Sequence, residues 1–100
     1  MVDVTAPLPI NQARKLLSAI LATGEGSLSV TKHCREELAK DRMVFTDVVN
    51  VLRCGQIKEP AEEVKGAWRY RVHTLSFCVV VEFLSETQVR VVTTWRKKGR

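Results

Sequence analysis

Apolar and polar positions change period once along the chain. Up to about Gly55 the apolar residues recur at helical spacing, and beyond it they alternate. Ile10, Ala13, Leu17, Ile20 and Leu21 mark one side of a helix that begins at Pro9 and is ended by Gly24, with Asn11, Gln12, Arg14, Lys15 and Ser18 on the other. A short extended piece, Ser27 to Val30, follows. Thr31 then serves as N-cap of a second helix running to about Lys40, with Cys34 and Leu38 inward and His33, Glu37 and Lys40 outward. Asp41 to Phe45 is a break. Thr46 is the expected cap of a third helix whose stripe is Val48, Val51 and Leu52, and Gly55 stands where a left-handed C-cap belongs.

After Gly55 the pattern is that of strands. Ile57 to Val64 reads as a weak edge strand interrupted by Pro60, tolerated where no partner needs the missing N–H. Lys65-Gly66 makes a turn into three stronger strands, Trp68 to Thr74, Phe77 to Leu84 and Gln88 to Arg96, joined by hairpin-length links. The expected fold is α+β: three helices, the first two long and the third short, on one face of a four-stranded antiparallel meander. Residues 9–96 form the single domain, with 1–8 a flexible lead and 97–100 a basic tail.

Strand parity sorts the side chains into two faces. Trp68, Tyr70 and Val72 point to the core, as do Phe77, Val79, Val81 and Phe83 and, in the last strand, Val89, Val91, Thr93 and Trp95. The opposite face then carries Arg69, Arg71 and His73, next to Cys78, Val80 and Glu82, next to Arg90, Val92, Thr94 and Arg96. An apolar floor with cationic walls suits a nucleic-acid strand, whose phosphates meet arginine and whose bases meet flat or apolar surface.

Composition agrees with that choice of partner. The chain has 100 residues and a net charge of +5, which favours anionic ligands. It has neither an apolar run of membrane-spanning length nor, in MVDVTAPLP, the layout of a signal peptide, so a soluble, cytoplasmic protein is expected. Cys34, Cys54 and Cys78 are too far apart for a zinc pair and read as buried reduced thiols. His33 and His73 lack ligand spacing, so no metal and no cofactor is expected. Cys34 beside His33 is no nucleophile-base pair either, since adjacent helical residues point about 100° apart.

The order HCREELAKDRMVFTDVVNVLRCG, a short strand, WRYRV, a valine-rich strand and a closing VRVVTTWR resembles the bacterial domain-of-unknown-function family 4258, grouped with RelE-like and MqsR-like toxins. The matching pieces are His33 opening a helix, the pair Arg42-Met43, Leu52 and Gly55 at a helix end, Tyr70 in the next clear strand, and Thr93 or Thr94 with Trp95 and Arg96 at the close. The resemblance implies a RelE- or barnase-like α+β fold and metal-independent RNA cleavage as the toxin of a toxin–antitoxin pair. The antitoxin it implies is a zinc-binding, helix-turn-helix protein of the MqsA type.

Cleavage by attack of the 2′-OH on its own phosphate needs a base, an acid and cations at phosphorus. With the resemblance, His33 or His73 is acid or base, Tyr70 and Thr94 supply supporting hydrogen bonds, and Arg69, Arg71, Arg90, Arg96 and Arg42 hold RNA phosphates. A non-catalytic module that binds nucleic acid or a partner protein through the same arginine face is the alternative. Cleavage sequence and ribosome dependence are left open by these residues.

Overall fold

A computed structural model of the chain describes residues 3–24 and 27–97. Apart from Lys97, the basic tail lies outside the described residues. Three helices, α1 (Ile10–Ala22), α2 (Lys32–Lys40) and α3 (Phe45–Cys54), combine with six strands: β1 (Leu28–Val30), β2 (Gln56–Ile57), β3 (Glu62–Val64), β4 (Ala67–His73), β5 (Phe77–Phe83) and β6 (Val89–Arg96). The class is α+β. The helices span 13, 9 and 10 residues, so the third is not the short one.

The sheet is larger than a four-stranded meander and is mixed. Its order is β1-β6-β5-β4-β2, with β3 also on β4, and β1 pairs with β6 in parallel. The extended piece before α2 is therefore an edge strand, because Leu28, Ser29 and Val30 run beside Val89, Arg90 and Val91. At the other edge β2 takes the C-terminal half of β4 and β3 the N-terminal half. Pro60 falls between them, where no ladder bond is asked of it. The β3–β4 link has both Lys65 (φ 52) and Gly66 (φ 83) left-handed, as a two-residue hairpin turn of matching twist requires.

Beneath the helices lies one core. Leu17, Ile20, Cys34, Val48, Val51 and Leu52 pack on Tyr70, Val72, Val79, Val81, Val89 and Val91. The amino-terminal segment, expected to be loose, contributes too: Leu8 is buried and its N–H donates to the Tyr70 hydroxyl at 2.9 Å.

Three helix ends depart from their expected chemistry. The cap of α3 is Val44, two residues before Thr46, with the Asp47 carboxylate accepting the Val44 N–H at 3.0 Å. Gly55 is extended (φ −74, ψ 169), not left-handed. Its need is space: a Cβ would lie 2.5 Å from the Val51 carbonyl oxygen and 2.8 Å from both the His73 carbonyl oxygen and Val72 Cγ1. At the end of α2 the left-handed residue is Arg42 (φ 54), with Arg42 N–H on the Ala39 carbonyl and Met43 N–H on the Leu38 carbonyl. That pair of bonds is a Schellman close with arginine in the place glycine usually takes.

Candidate nucleic-acid interface

Register turns the face away from the helices into three rows of side chains, because residues directly opposite in neighbouring strands share a face. The first row is Glu62, Arg69, Glu82, Arg90 and Ser29; the second is Arg71, Val80 and Thr93; the third is Gln56, His73, Cys78 and Trp95.

The first row is an alternating charge ladder. Glu82 accepts from Arg69 Nε and from Arg90 Nη2, both at 2.8 Å, with only 6% of its side chain exposed. Burial opposes ionisation of this carboxyl, but the bonds and charges of the two guanidinium groups outweigh it and hold its pKa below the usual carboxylate value. Arg69 and Arg90 are thus on the expected face but already neutralised, although Arg90 Nε is buried without a partner among the described residues.

In the other two rows Arg71 is the freer charge, while the His73 side chain is only 13% exposed. Arg71 is exposed and touches Glu62 only at 3.8 Å. His73 Nε2 lies 2.8 Å from Glu59 Oε1 and 3.1 Å from Oε2. Burial again works against the Glu59 charge, and the His73 bond together with the His73 and Arg71 charges prevails, lowering its pKa. Glu59, Pro60, Glu62, Arg69, Arg71 and Val80 line a shallow depression of about 220 Å³. Cys78 and Val80 floor the face, buried yet separate from the main core. Burial pushes the Cys78 thiol up to about 11, so it is a neutral packing group near pH 7. Cys34 is likewise buried and raised to about 11, whereas Cys54 is exposed, against expectation.

The last strand overturns part of the expected parity. Val80 pairs with Thr93 but Val81 pairs with Val91, leaving Val92 as an inserted residue. A bulge of one residue reverses every side chain beyond it. The cause is local to α2: the Val92 carbonyl accepts the Thr31 hydroxyl at 3.0 Å and the Val91 carbonyl accepts the Thr31 N–H at 3.1 Å, while the same hydroxyl caps Cys34 N–H at 3.1 Å. One threonine ties the helix start to the bulge.

Consequently Thr94 and Arg96 leave the basic face, and Thr93 and Trp95 join it. Thr94 is buried on the core side, its hydroxyl donating to the Cys78 carbonyl at 3.1 Å. Arg96 binds Asp41 through its own N–H at 3.0 Å and sets its guanidinium 4.9 Å from the Phe77 ring centroid. It fastens the end of α2 to β6.

The remaining expected site residues are dispersed. Tyr70 is buried, raised above its ordinary pKa by that burial, and its hydroxyl is occupied by Leu8. His33 is exposed on α2, 3.6 Å from Glu37, and Arg42 is exposed at the close of the same helix. The structure thus brings together Arg69, Arg71, His73 and Arg90, and adds Glu59 and Trp95, which parity alone missed. Glu59 was legible only as a charge beside Pro60, and Trp95 was hidden by the bulge.

Among the described residues no three His, Cys, Asp or Glu side chains are grouped to hold a metal ion, and no helix is long and apolar enough to cross a membrane. Comparison with the curated proteins and with the solved structures found no match to this chain. Residues 30–96, from the end of β1 through β6, match the family described as "Domain of unknown function (DUF4258)". Since the match spans the whole of α2, α3 and the five later strands, the chain belongs to the DUF4258 family.

Proposed function

We propose that this chain is a metal-independent endoribonuclease of the RelE/MqsR-like toxin kind, acting on RNA laid across the open sheet face. The observation that carries this reading is the His73–Glu59 pair at 2.8 Å, beside Arg71 in the adjoining row. With Glu59 accepting the Nε2 proton, the His73 lone pair is on Nδ1. Nδ1 takes the 2′-OH proton as that oxygen attacks phosphorus, and the Glu59 charge stabilises the imidazolium that forms. Arg71 meets the charge gathering on the phosphoryl oxygens. The P–O5′ bond breaks, and the leaving oxygen collects a proton from solvent. The products are a 2′,3′-cyclic phosphate and a 5′-hydroxyl.

A cognate antitoxin of the zinc-binding, helix-turn-helix type would block this face most readily with acidic side chains. A second reading, a non-catalytic module binding RNA or a protein, is favoured by one observation: the Tyr70 and Thr94 hydroxyls are spent in the core.

The test is incubation of the purified chain with mixed-sequence single-stranded RNA, with and without ribosomes, between pH 5 and 8. Cleavage that survives a chelator, leaves cyclic phosphate ends and falls at least about 100-fold in His73→Ala supports the nuclease. Glu59→Gln should lose less than His73→Ala, because it removes only the stabilising charge. RNA that is bound but uncut under every condition would sink the nuclease in favour of the binding module.

A further inference from the structure

We propose that Trp95 is a stacking platform for one unpaired base, which restricts the bound nucleic acid to single strands. This rests on the reading that the open face binds RNA. Three observations carry it. The Val92 bulge turns Trp95 out of the core and onto the face that holds His73 and Arg71. Trp95 is 38% exposed, whereas the other tryptophan of the sheet, Trp68 in β4, packs against the core. It also shares a row with His73, two strands away across buried Cys78.

Two strand spacings are about 10 Å. A single nucleotide covers that distance between its base and the phosphate it carries. A base on the Trp95 ring therefore delivers its ribose and phosphate toward His73 and Arg71. Lys97, two residues beyond Trp95, donates from Nζ to the carbonyl of Thr74 at 2.8 Å and so places a cation beside His73 at the same end of the sheet. The occupant follows from this set: a flat aromatic surface beside cations fits a polyanion with exposed π-faces. A duplex keeps its bases stacked on one another and offers the tryptophan only its backbone, so it cannot use the platform.

The measurement is tryptophan fluorescence of the Trp68→Phe chain, in which Trp95 is the sole emitter, titrated with a mixed-sequence 2′-O-methyl RNA of about 12 nucleotides and separately with its blunt duplex. The expected result is quenching by the single strand and none by the duplex. Trp95→Ala should weaken single-strand binding about tenfold or more while leaving duplex binding unchanged, and Trp95→Phe should restore most of the loss. Equal binding of both probes, or a single strand that binds without quenching, overturns the platform.

Failure of the nuclease reading is separable. A single strand that quenches Trp95 while unmodified RNA stays uncut supports stacking and removes catalysis. RNA cut equally well by the chain and by Trp95→Ala removes stacking and leaves the nuclease.

Discussion

The two faces of the sheet bury their side chains by different means. On the helix side Tyr70, Val72, Val79, Val81, Val89 and Val91 lie under three helices in one apolar core. On the other side Cys78, Val80 and Glu82 are also buried, but apart from that core, among neighbours in the same sheet. The first face is closed by a second layer; the second is closed by its own long polar side chains, which hold one another in pairs. Closure of the second kind costs few apolar contacts to undo, so a ligand that outcompetes the pairs reaches an apolar floor. Stability belongs to one face and adaptable chemistry to the other.

Truncating a buried side chain on each face should give unequal losses. Leu52→Ala, beneath the helices, should cost about 3 kcal/mol, because rigid packing on all sides leaves the cavity open. Val80→Ala should cost only about 1 kcal/mol, since flexible arginine and glutamate side chains can settle into the space. Urea unfolding reads both, and equal losses would mean that the open face is as rigid as the core.

Glu82→Gln comes next in size. Removing the carboxylate leaves Arg69 and Arg90 without their shared partner, and the loss should be about 1–2 kcal/mol, discounted because both guanidinium groups reach solvent. The same change should strengthen RNA binding and steepen its salt dependence, since two cations are released for phosphate.

Its pH signature has a definite sign. Glu82 titrates below the ordinary 4.5 when folded, so its stabilisation is fully present above about pH 4.5 and is lost as pH falls through the lower folded value. Stability of the native chain should fall in that acid range, and Glu82→Gln should flatten the part due to this carboxyl. Glu59 contributes in the same direction.

Arg42→Gly should have the smallest effect, a gain of up to about 1 kcal/mol, as relief of the left-handed strain outweighs the entropy of the added glycine. A rise in melting temperature with unchanged RNA binding would confirm that Arg42 serves the helix end and stands outside the interface. Weaker RNA binding would return it to the site.

Local pattern made much of this legible. The alternation of Arg69, Arg71 and His73 against Tyr70 and Val72 matches the faces found, because β4 and β5 pair without interruption. Thr31 as the cap of α2 was equally readable, since its hydroxyl acts on an amide three residues away. Thr94, Arg96 and Trp95 were not, because their faces depend on one inserted residue whose carbonyl finds its partner in Thr31, 61 positions earlier in the chain. The His73–Glu59 pair likewise joins the end of β4 to the loop after β2, over a separation of 14 residues that holds β3.

The change from helices to strands near Gly55, the class α+β and the cationic side of WRYRV follow from periods of two and 3.6 and from nearby turn chemistry. Tertiary structure alone decided the parallel pairing of β1, the bulge at Val92 and the steric need for glycine at position 55. These depend on distant backbone atoms meeting within a few ångströms, and period carries no information about which atoms will meet.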